Sequence, residues 1–83
     1  MPLKIEDLPE GTLIADGWDE ALLGYGWRVG TPIAVYDRDK IQSIMTDRDG
    51  LSYEEAEEHI SYNIEGAYVG EGTPLLVRMN GEE

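Results

Sequence analysis

Cysteine is absent from the chain and histidine occurs once. Without thiols there is no disulfide framework and no thiolate metal site, which fits a reducing compartment. Basic residues are scarce too. Six Lys and Arg stand against eighteen Asp and Glu, a net charge of -12. Direct binding to nucleic-acid phosphates needs the opposite sign, and so does adhesion to an anionic membrane surface. No apolar stretch approaches the roughly 20 residues of a membrane-spanning helix. Residues 1–13 carry acids and two prolines, Pro2 and Pro9, where a secretory leader has a basic start and an apolar run. The expectation from these absences is a cytoplasmic protein whose partners are proteins with basic surfaces.

What is present suits one small domain. The chain has 83 residues, of which 41% are hydrophobic, enough for a single core. Residues 1–12 read as an irregular arm broken by proline, and residues 80–83 as a polar tail. Residues 11–15 suit a short extended entry, closed by a turn at Asp16 and Gly17. Between Trp18 and Arg28 two glycines, Gly24 and Gly26, argue against a long helix, and the aromatic residues favour a strand with bends or bulges. Residues 29–32 read as a connection and residues 33–36 as a compact apolar strand, so that the two strands form a hairpin.

Two helices follow. The Asp37 carboxylate is placed to accept from the free amides of a first turn. Ile41, Ile44 and Met45 then fall on one face, with Arg38, Asp39, Gln42, Ser43 and Asp47 directed away from it. Asp49 and Gly50 supply the stop. Ser52 and Glu55 form a capping box, and Glu54 and Glu55 suit the positive end of the second helix. At 100° per residue, Tyr53, Ala56, Ile60 and Ile64 form an apolar stripe, opposed by Glu54, Glu57, Glu58 and Glu65. Gly66 is the expected C-cap. After a glycine-rich connection, residues 74–79 form a last apolar strand. The expectation is an α+β fold in the order β-β-α-α-β. It has a three-stranded antiparallel sheet, made of the hairpin and the C-terminal strand, with both helices on one face.

The chemical motifs fail at named residues. If Gly50 took the sixth position of a calcium loop, Met45 and Ala56 would occupy the first and twelfth, which need oxygen ligands. His59 lies near Glu55 and Glu58 but near no recognisable serine or cysteine nucleophile. The glycines at 24 and 26, and at 66, 70 and 72, match neither a phosphate loop nor a dinucleotide fingerprint. No catalytic, metal-binding or cofactor-binding residue is therefore expected, and no enzymatic activity. Asn63, at the edge of the apolar stripe, is expected to bond the backbone of residues 66–72.

Two surfaces remain. Residues 37–71 carry ten acids against Arg38, Lys40 and Arg48. Carboxylates spaced along two helices can imitate backbone phosphates and occupy a basic channel. The protein-binding residues expected on this reading are Asp47, Asp49, Glu54, Glu57, Glu58, Tyr62 and Glu65. The second surface is the hairpin, where Tyr25 and Trp27 point to one face. If uncovered, that face is a contact or homodimer patch. A small-ligand site around Tyr36, Asn63 and Tyr68 is a further alternative.

The strings AVYD at 34–37, KI at 40–41, DGLSYEEA at 49–56, YNIEGAYVGE at 62–71 and TP at 73–74, with GWDEALLG at 17–24, resemble a family of small acidic bacteriophage and prophage proteins. The resemblance spans about residues 16–77. It implies action in a bacterial cytoplasm and transfers no catalytic residue. By analogy of class it implies an inhibitor of host defence, such as an anti-CRISPR protein or a nucleic-acid mimic.

Overall fold

The structure, a computed structural model, describes residues 4–15, 17–62, 70 and 72–79. Strands β1 (Leu22–Arg28) and β2 (Thr31–Asp37) are followed by helices α1 (Arg38–Arg48) and α2 (Tyr53–Ile60) and by strand β3 (Leu75–Val77). Short helical turns occupy Ile5–Asp7 and Asp19–Ala21. The element order is the expected one.

Val29 and Gly30 both have positive φ, 49° and 83°. That is the handedness of a two-residue hairpin turn, which matches strand twist. The strands therefore run to the turn, and Thr31 and Pro32 belong to β2 rather than to a longer connection. Pro32 lies opposite Trp27, whereas β3 reaches only Val35, Tyr36 and Asp37. On its β3 side Pro32 thus has no ladder partner to disappoint. A register shift between Leu22 and Gly24 marks the bulge anticipated at the glycines.

The sheet order is β1-β2-β3. β1 pairs antiparallel with β2, but β3 pairs parallel with β2. The sheet is therefore mixed, which corrects the expectation of a purely antiparallel one. The helices act as the crossover that a parallel connection requires. An apolar run reads the same in either direction, so nothing in residues 74–79 announces the strand's polarity.

The core joins Leu22, Ala34 and Tyr36 to Ile41, Met45, Ala56 and Ile60, so both helices bury residues against one side of β2. The Asp37 carboxylate accepts from the backbone N–H groups of Asp39 and Lys40, as the cap requires. α1 stops where Gly50 takes φ 71°, and the Leu51 N–H reaches back to the Met45 carbonyl at 3.3 Å. The Ser52–Glu55 capping box is present in both directions, at 3.1 and 2.9 Å. Ile5 and Leu8 of the N-terminal arm, and Ala15 of the extended entry, pack against the core. The Ala15 N–H donates to the Tyr36 hydroxyl at 2.9 Å.

Three side chains lie where helical spacing did not put them. Arg38 and Gln42, expected outside, are buried, and Tyr53, expected on the apolar stripe, is 66% exposed. Their common cause is the seam between the helices. Tyr53 heads α2 beyond the core, while Arg38 and Gln42 face α2 and find polar partners there. Asn63, Ile64 and Gly66, with the roles assigned to them, lie outside the described residues.

Candidate protein-binding surface

The seam sorts the acids of α2 into two groups. Glu57 turns toward Arg38. Its carboxylate oxygens accept from the two terminal nitrogens of Arg38, each at 3.1 Å, a forked pair. Gln42 Nε2 donates to the same carboxylate at 3.3 Å and to the Tyr53 carbonyl at 3.1 Å. Arg38 also reaches Ser61 Oγ at 3.5 Å. The hydrogen-bonded Arg38 guanidinium holds the Glu57 carboxyl below its ordinary range, and the Arg78 charge adds to this. Glu57 was expected on the open anionic face. Its side chain stays 45% exposed there and is also the counter-charge of the buried Arg38, so its removal would leave that arginine short of its partner.

Glu54 and Glu58 stay on the solvent side, and among the described residues no cation pairs with either. Tyr62, 78% exposed, follows Glu58 by one helical turn. With Leu51, Glu55 and His59, Glu58 and Tyr62 line a shallow open depression. Glu55 is engaged in the cap of its own helix.

On α1 and its exit, Asp47 and Asp49 are both exposed. Asp49 accepts from Arg48 Nε at 3.2 Å. The Arg48 guanidinium lies 4.7 Å from the Trp18 ring centroid, a cation–π contact. It also donates to the Gly17 carbonyl at 3.4 Å. Asp47 lines an open hollow between α1 and the turn Asp19–Ala21, together with Asp19, Glu20, Lys40 and Arg48. Glu65 lies outside the described residues. Of the expected surface, the structure therefore places Glu54, Glu58 and Tyr62 together on one side of α2. Asp47 is exposed on α1, and Asp49 and the half-exposed Glu57 are each paired with an arginine.

The hairpin aromatics are exposed, Tyr25 by 41% and Trp27 by 62%. Their rings meet edge to face, with centroids 6.0 Å apart. Tyr53 is the exposed aromatic that the spacing argument missed. Tyr36 of the alternative ligand site is fully buried, and its companions Asn63 and Tyr68 lie outside the described residues. No three His, Asp or Glu residues among those described gather as a metal-binding group. No helix among the described residues is long and apolar enough to cross a membrane.

No protein-family model matches the chain, nor does any curated protein or any solved structure.

Proposed function

We propose that the chain is a non-catalytic protein-binding domain whose anionic helical surface occludes a basic surface of a nucleic-acid-binding partner. The observation that carries this reading is the division of acids on α2. Glu57 is paired with Arg38, whereas Glu54 and Glu58, flanked by Tyr62, face solvent and pair with no cation among the described residues. Exposed carboxylates of this kind steer a basic partner and raise its rate of encounter. An adjacent tyrosine supplies apolar contact with few rotors to freeze. The resemblance to phage and prophage proteins makes a host-defence complex the class of target.

Affinity capture from bacterial lysate, followed by competition with duplex DNA, tests the proposal. The captured protein should be displaced by DNA. Its binding should fall by about tenfold or more in the double variant Glu54→Lys, Glu58→Lys. Glu57 is left untouched, because its reversal would disrupt the Arg38 pair and confuse loss of binding with loss of fold. Unchanged capture by the double variant would sink the anionic-surface reading.

A further inference from the structure

β1 is the outer strand of the sheet, and among the described residues nothing pairs with its far edge. In an antiparallel ladder alternate residues turn their N–H and C=O groups away from the neighbour. An edge strand therefore offers a row of open hydrogen-bonding groups, which proteins ordinarily guard with lysine, proline or a very short strand. β1 has none of these guards. It is seven residues long, contains no proline, and carries only Arg28, at its end, as a charge. The bulge affects its start alone. From Gly24 to Arg28 it pairs residue for residue with β2.

The side chains along this edge are equally unguarded. Tyr25 and Trp27 stand exposed on one face of the strand. On the other face Gly24 and Gly26 have no heavy atom within 4 Å of the position a Cβ would take. At the adjoining turn Val29 is 97% exposed and held at φ 49°, a conformation unfavourable for a β-branched residue. Strain of this kind is a pointer to function.

Charge decides the occupant. Residues 21–36 contain no acid in a chain of net charge -12, and Arg28 is their single charge. A basic strand would find no carboxylate there, and an acidic strand would find one arginine at the end. The edge is best matched by a strand as uncharged and aromatic as itself. A second copy of β1 meets that requirement. An antiparallel register centred on Tyr25 sets Arg28 of one copy against Leu22 of the other, so no like charges face each other.

We propose that the free edge of β1 is a self-association surface. Two copies pair β1 to β1 antiparallel about a twofold axis normal to the sheet and join their sheets into one, with Tyr25 of both copies opposed at the seam. The exposed parts of Tyr25 and Trp27 supply on the order of 400 Å² across the two copies. A stable interface needs about 1,000 Å² or more. Main-chain pairing closes part of that gap, so the dimer is weak and concentration-dependent. Because two strongly anionic bodies repel, it tightens as salt rises. Binding of a basic partner to the α2 surface weakens under the same change.

Sedimentation velocity on the full chain up to about 1 mM protein, in about 50 and about 500 mM salt, tests this. The mass should move from 9.3 kDa toward twice that value, at lower protein concentration in the higher salt. Tyr25→Lys and Trp27→Lys should each raise the dissociation constant by about tenfold or more, with circular dichroism unchanged because both side chains are exposed. Amide hydrogen exchange of the native chain gives a second reading, since outward-facing β1 amides should slow as concentration rises. The inference is overturned by a monomer at the highest concentration in both salts. A dimer indifferent to both substitutions overturns it as well, as does concentration-dependent protection that falls outside β1.

Discussion

Ile60→Ala and Tyr53→Ala, seven residues apart on α2, separate two accounts of that helix. Helical spacing places both side chains on the apolar stripe, but only Ile60 is fully buried, while Tyr53 is 66% exposed. Truncating Ile60 forfeits about 2–2.5 kcal/mol of transfer free energy, at about 0.8 kcal/mol per methylene. The void left among Ala34, Tyr36, Ile41, Met45 and Ala56 raises the cost to about 3–4 kcal/mol. A chain of 83 residues holds only about 4–12 kcal/mol in total. At about 4–8 °C per kcal/mol, the melting temperature should therefore fall by about 12–32 °C. Tyr53→Ala should cost less than about 0.5 kcal/mol, because the group Tyr53 contributes to the helix seam is its backbone carbonyl, which accepts from Gln42. Urea unfolding followed by circular dichroism at 222 nm measures both. Equal losses, or an Ile60→Ala cost below about 1 kcal/mol, would refute the burial argument.

Two further outcomes follow from the same geometry. Arg38 depresses the Glu57 pKa from its ordinary 4.5, so the pair's contribution is complete above that value and is lost as pH falls through the lower folded value. Between pH 6 and 3 the urea midpoint of the native chain should thus drop more steeply than that of Glu57→Gln. Parallel pH profiles would show that the pair contributes nothing to acid stability. At the hairpin, Val29→Asn relieves a positive φ that valine tolerates poorly and should raise stability by about 1 kcal/mol. A lower urea midpoint would mean that the valine side chain itself stabilises the turn.

Much of the local structure was legible because it rests on neighbours in the chain. The Asp37 cap, the glycine stop at Gly50 and the Ser52–Glu55 box each join residues two to six positions apart, and a residue type at a given spacing announces such a bond. The hairpin was readable for the same reason, although its turn proved shorter than expected. The candidate surface was legible only in part. Spacing identified Glu54, Glu58 and Tyr62 as outward residues of α2. It could not tell that Glu57 would be engaged in an ion pair, because that pairing is made by Arg38, 19 positions earlier.

The amino-acid sequence by itself determined where both helices begin and where the first one ends, that an acid-free hairpin precedes an acid-rich helical pair, and that the charge opposes direct binding to phosphate. These are matters of covalent neighbourhood and composition. Tertiary structure decided the rest. The direction of β3 depends on where a two-helix crossover returns to the sheet. The burial of Arg38 and Gln42, and with it the pairing of Glu57, depends on how α1 and α2 meet. The exposure of Tyr25 and Trp27 on a strand whose outer edge has no partner among the described residues depends on which strand ends up outermost. Each is a contact between distant parts of the chain, whose free energy has no trace in local spacing.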